Sequence, residues 1–269
     1  MPGFSNASDF NKNGFLTKKI EEWTESQNFK KNDSYNLCIR LNQFAQKNLY
    51  NLKIHKRDPQ ELLVSTLYIR SLSIFQGVVI LLTKGMLTES KILLRSLLEI
   101  LFRISAISQK YEYAIDFINQ DQISRKKMIN KSRMLSDNIK KLHVDSNLSE
   151  FYDNIKNDID KRGVKEHGTQ WYAQKAGLED EYNTAYSLLC NPVHSNVRHL
   201  ESYLILDKND EVTSFKYGPT NEENFKLFLT NIDCMIKILN CINSLFELDM
   251  QEEINEFSVG LNNLVKIHL

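Results

Sequence analysis

Glycine and proline are scarce: 9 and 4 in 269 residues. That scarcity excludes a turn-rich sandwich or barrel and favours long, unbroken helices. No two glycines lie closer than five residues apart, so the chain has no phosphate-cradling loop and no dinucleotide fingerprint. Four cysteines, Cys38, Cys190, Cys234 and Cys241, never reach Cys-x-x-Cys spacing, which argues against a metal knuckle or a disulfide scaffold and fits a reduced, cytoplasmic setting. Glu-x-x-His and His-Glu-x-x-His are both missing, so a di-iron bundle or zincin is not expected and neither metal nor cofactor is assigned. A charge excess is missing too, with 34 Lys+Arg against 34 Asp+Glu. The whole surface is therefore no polyelectrolyte binder. The first residues, MPGFSNASDFNKNGF, carry no apolar segment that would route the chain to secretion.

What is present is helical periodicity. A hydrophobic content of 42% suffices for a large core. Residues 1–16 are polar and read as a flexible N-terminal arm; 17–269 read as a single helical domain. Asp33 is placed to cap a helix over about 34–56. Pro59 suits the first turn of the next helix, which runs to about Thr83 and is apolar on nearly every side, as a helix in the middle of a bundle is. Its length matches a membrane span, but Arg70, Gln76 and several hydroxyl residues make a buried core helix the better reading, with no membrane partner. Gly85 ends it, Thr88 is a candidate cap for the next, and the two form a central antiparallel hairpin, 59–83 with 87–110. A more polar helix follows from Tyr111 to about His143, then weaker helices over 148–161 and 170–175. Another opens at Glu179, with a kink or break expected at Asn191–Pro192. The alternating stretch near 202–217, with its DKND turn, predicts one short β-hairpin. A long helix over 221–248 and an amphipathic one complete an all-α fold.

Three groups carry candidate chemistry. Arg95, Glu99 and Arg103 stand four residues apart on a very apolar helix and so share one face. Charges there must be paired or line a polar pocket, because burying them alone costs several kcal/mol. Cys190, His194 and Arg198 are also spaced by four, with His199 beside them; they share a face if the helix survives Pro192. An imidazole beside a guanidinium suits general acid–base work on an anion, whereas a packed histidine and a solvated arginine are the structural alternative. Arg162 and His167 match the Arg-x4–6-His spacing of helical HEPN ribonucleases, a short pattern that arises readily by chance. The basic run Arg125, Lys126, Lys127, Lys131, Arg133, Lys140 and Lys141 spreads around its helix as a solvated face does, rather than forming an RNA-binding stripe.

The residues RSLLEI (95–100) and the run WYAQKAGLEDEYNTAYSLLCNPVHS (171–195) together resemble the bacterial domain-of-unknown-function family fifty-six seventy-seven, over about 60–247. The resemblance implies an all-helical cytoplasmic domain without an established activity. It picks out Arg95, Glu99, Tyr186 and His194, and departs at Cys190, where the family tends to have serine. Two readings stand. In the first, a metal-independent, HEPN-like ribonuclease acts as a toxin or antiviral effector, with His194 as acid/base, Arg95 and Arg198 on phosphate, and Glu99 orienting an arginine. Tyr186, Cys190 and Arg103 then contact the substrate. In the second, a non-catalytic sensor or adaptor, with a homo-oligomer as one form, binds a small anionic ligand or a protein through the same residues.

Overall fold

The computed structural model describes residues 7–55, 57–133, 148–195 and 197–268. It is all-α apart from one two-stranded hairpin. The helices are α1 Ala7–Asn13, α2 Ile20–Ser26, α3 Asp33–Leu49, α4 Pro59–Thr83, α5 Leu87–Gln109, α6 Tyr111–Arg133, α7 Leu148–Arg162 and α8 Thr169–Ala176. Then come α9 Glu179–Glu181, a π-helical turn Tyr182–Tyr186 that runs on into α10 Ser187–Val193, and α11 Val197–Glu201. Strands β1 Leu204–Leu206 and β2 Val212–Phe215 precede α12 Asn224–Leu245 and α13 Gln251–His268.

Helices α4 and α5 pair as the expected hairpin, and α5 is the half of it that lies at the centre of the bundle. Asp58 starts α4 by accepting from the backbone N–H groups of Gln60 at 2.8 Å and Glu61 at 3.1 Å, and Pro59 fills the position whose N–H has no helical partner. Gly85 ends the turn with φ +70°, and a Cβ there would lie 2.5 Å from Pro219 Cβ, so both conformation and space require glycine. Helix α5 is the innermost element. It packs on α4, α12, α8, α10 and α6, and of its 23 residues only Glu89 and Gln109 are exposed. Helix α4 is the membrane-length helix, and half of its most apolar stretch is buried. Leu62, Ile69 and Ile80 remain exposed along one stripe, so α4 lies at the edge of the core and not, as its all-round apolarity suggests, in the middle.

Around this pair, α3, α12 and α13 close the core with Leu41, Phe228 and Ile254. A second, small apolar group of Ile129, Ile155 and Ile159 joins α6 to α7. Residues 134–147, with Lys140 and Lys141 of the basic run, lie outside the described residues. The N-terminal segment differs from the expected loose arm: Phe10 of α1 is 2% exposed and packs on Phe15 and Tyr217. Two apolar rings that find a partner two hundred residues away give no local signal. Two caps also differ. Asn32, not Asp33, caps α3 by accepting from Tyr35 N at 2.9 Å. Thr88 lies inside α5, and its hydroxyl pairs with Tyr203 Oη at 2.7 Å.

The hairpin forms where expected, antiparallel, with Leu204 opposite Phe215 and a register shift after Ile205. Asp207 Oδ1 accepts from Asn209 N at 2.8 Å and Glu211 N at 3.0 Å, which is how the DKND sequence makes the turn. Every residue of both strands is exposed.

Candidate functional site

The face of α5 that carries Arg95, Glu99 and Arg103 looks onto the segment 182–190. Tyr182 and Tyr186 stack at 5.1 Å between centroids, 20° apart in plane, and Tyr186 and Cys190 point at Arg95. Tyr186 Oη is the hub. It accepts from Arg95 Nη2 at 2.8 Å and donates to Glu99 Oε1 at 2.9 Å, while Arg95 Nη2 also meets Glu99 Oε1 at 3.0 Å. Arg95 Nε donates to Cys190 Sγ at 3.3 Å, and the guanidinium carbon sits 5.0 Å from the Tyr186 ring centroid. Arg103 Nη2 approaches Glu99 Oε2 at 3.8 Å and covers Phe117, leaving its Nε buried without a partner.

Electrostatics follow from this closure. Burial pushes the Tyr186 phenol up to about 12, and its bond to the Glu99 carboxylate adds to the rise. Burial by itself lowers Arg95, but the Cys190 sulfur and the Glu99 carboxylate outweigh it, so its pKa is raised and the guanidinium stays charged. The Arg95 and Glu99 side chains are each 19% exposed. The pair is largely buried and each charge is met by the other.

Five of the seven selected residues therefore meet: Arg95, Glu99, Arg103, Tyr186 and Cys190. His194 does not. The helix passes Pro192, which is buried within it, and ends at Val193 rather than breaking at Asn191. Ser195 then takes a left-handed φ of 47°, and α11 starts a new direction at Val197. His194 is left exposed at the helix end, and among the described residues its imidazole makes no hydrogen bond or ion pair with the cluster. The Arg198 side chain lies outside the described residues. Arg162 and His167 take separate partners: Arg162 binds Asn119 and Asp158, whereas His167 stacks on Trp171 at 3.8 Å. Among the described residues no group of three or more His, Cys, Asp or Glu is arranged to hold a metal ion.

A cavity of about 570 Å³ adjoins this cluster, lined by the first turns of α5, by 185–192, and by the chain on either side of the hairpin. Lys91, one turn before Arg95, and Leu94 form one wall; His199, Tyr203 and Tyr217 form another. Lys91 Nζ donates to Glu223 Oε1 at 2.7 Å. Burial, and then the nearby Lys91 charge, push the His199 pKa below its ordinary value, so the ring is neutral at neutral pH. Its Nε2 is buried without a hydrogen-bond partner. Sequence reasoning passed over Lys91 and ranked His194 above His199. The first was legible, since Lys91 extends the Arg95–Glu99–Arg103 spacing by one more turn; the second was not, because burial of His199 depends on α5 and the loop after β2.

The architecture thus defines a helical-bundle protein with a closed Arg–Glu–Tyr network beside an open cavity. The chain belongs to the family of unknown function DUF5677, whose model matches residues 61–212, the stretch that supplies α4, α5, the whole network and β1. Neither the curated proteins nor the solved structures contain a match to it.

Proposed function

We propose that this protein is a cytoplasmic, non-catalytic helical binding module, a sensor or adaptor, and not a ribonuclease. The observation that carries the reading is the closure of the Arg95 network: Nε is spent on Cys190, Nη2 on Tyr186 and Glu99, and the guanidinium face on the Tyr186 ring. Metal-independent cleavage of a phosphodiester needs donors free to meet developing charge and an acid–base group within hydrogen-bond reach of the same atom. Here Arg95 has Nε and Nη2 engaged within the protein, and the imidazole of His194 stands in solvent rather than beside that guanidinium. The four free thiols fit a reduced compartment.

The network instead stiffens one wall of the adjoining cavity, since Tyr186 and Cys190 alternate with the cavity-lining Ala185, Leu189 and Asn191. Binding there puts a ligand against α5, α10 and the residues that flank the exposed hairpin, Tyr203 before β1 and Lys216 after β2, through which occupancy can be reported to a partner. The test is cleavage of labelled single-stranded RNA in the presence of chelator by the full chain and by His194→Ala. The expected result is no cleavage by either. Cleavage by the natural chain that disappears in a normally folded His194→Ala overturns the reading in favour of the toxin or antiviral nuclease.

A further inference from the structure

The cavity has a charge signature that the Arg95 cluster lacks. Both of its lysines are neutralised, Lys91 by Glu223 at 2.7 Å and Lys216 by Glu222 at 2.9 Å. Glu89, which also lines it, has no basic partner among the described residues. His199 is neutral, for the reason given above. The described lining side chains thus sum to one uncompensated negative charge. The backbone does not reverse this sign: the first turn of α5 lines the cavity, but a helix N-terminus carries only about half a positive charge against the full charge of Glu89 in that turn. The remaining walls are apolar or aromatic, among them Phe15, Leu94, Pro192, Tyr217 and Leu227.

Resting on the binding-module reading, we propose that this cavity takes a small molecule with a flat apolar body and a protonated amine head, and discriminates against anions of the same shape. The body lies against the aromatic wall, where Phe15 and Tyr217 already meet edge to face at 5.8 Å. The amine head faces Glu89 and the Glu223 end of the ion pair. Neutral His199 also lines the cavity and adds no positive charge that would repel the amine. An anion in the same place meets Glu89 and finds no free cation among the described lining residues. This reverses the ligand charge suggested by the sequence, because Lys91 and Lys216 are already spoken for.

Three probes that share one ring separate charge from shape: tryptamine, indole and indole-3-acetate, titrated by isothermal calorimetry or protein-observed NMR into the full chain at low salt and neutral pH. The expected order is tryptamine, then indole, then indole-3-acetate, with about a tenfold gap between the charged probes. That is the order of effect of one unmatched carboxylate a few Å away at a half-exposed site. Glu89→Gln narrows the gap to less than about threefold, and Ala185→Phe, which fills the cavity from a half-buried wall position, abolishes binding of all three. Indole-3-acetate binding as tightly as tryptamine overturns the charge assignment, and failure of all three to bind the natural chain overturns the cavity's role. Both results come from the natural chain, so they do not depend on any variant folding. The RNA assay decides the non-catalytic reading separately.

Discussion

Replacing Glu99 with alanine tests whether the Arg–Glu–Tyr network is a structural element. The carboxylate takes a hydrogen bond from Tyr186 Oη at 2.9 Å and an ion pair from Arg95 at 3.0 Å, with Arg103 at 3.8 Å beyond. Removing one partner of a fully buried pair costs about 3–5 kcal/mol. Arg95 and Glu99 are each 19% exposed, and Arg95 would keep Tyr186 and Cys190, so water and the surviving contacts recover part of that. The expected loss is about 2–3 kcal/mol, which for a chain of this size lowers Tm by about 4–10 °C. Urea unfolding followed by circular dichroism measures it, with an unchanged m-value as the sign that the unfolded state is unaltered. The double variant Arg95→Met/Glu99→Leu should lose less than the sum of its singles, by about 1–2 kcal/mol, because neither charge is then stranded. A loss below about 0.5 kcal/mol for Glu99→Ala refutes the reasoning: the carboxylate would then contribute nothing to the fold, and its place beside Arg95 would need a functional explanation.

His194→Ala should leave stability within about 0.5 kcal/mol, since the ring is exposed and unlinked to the cluster; a urea midpoint well below that of the natural chain contradicts it. Stability should fall between pH 10 and about 12. Burial holds Tyr186 and Tyr172 protonated in the folded chain up to about 12, whereas the unfolded phenols ionise near 10, so the contribution is intact below pH 10 and lost as pH rises through the folded value. Tyr186→Phe should flatten part of that decline, read as denaturation midpoint against pH. Gly85→Ala should cost about 2 kcal/mol or more, since φ is +70° and the new methyl would crowd Pro219; a midpoint equal to that of the natural chain would contradict it.

The parts of the fold legible in the sequence are those set by local signals. Asp58, Pro59 and Gly85 punctuate an apolar run too long for a strand, and α4 and α5 follow to within a residue or two of their expected ends. The DKND turn fixes the hairpin because Asp207 caps its own backbone. The four-residue spacing of Arg95, Glu99 and Arg103 fixes their common face, and the tyrosine and cysteine four apart fix the answering one. What escaped depends on contacts between distant segments. Phe10 becomes a core residue only when Tyr217 reaches it, and His199 a cavity residue only when the loop after β2 folds back. His194 keeps the four-residue spacing, its N–H bonding to Cys190 O at 3.2 Å, but it sits at the cap where the helix ends and its imidazole is exposed; the end of the helix just after Pro192, followed by a left-handed Ser195, is what the spacing does not foretell.

The π-helical turn at Tyr182–Tyr186 sets the phase of everything that precedes it. Upstream, Glu181 reaches Lys237 of α12 at 2.7 Å; downstream, Tyr186 and Cys190 reach α5. A regular α-helix rotates about 100° per residue, so excising one residue from the wide turn would swing Glu181 away by about that angle while leaving Cys190 in place. One surplus residue thus acts as a phase adjuster between two neighbouring helices, and a chain that lost it would have to give up one of its two anchors.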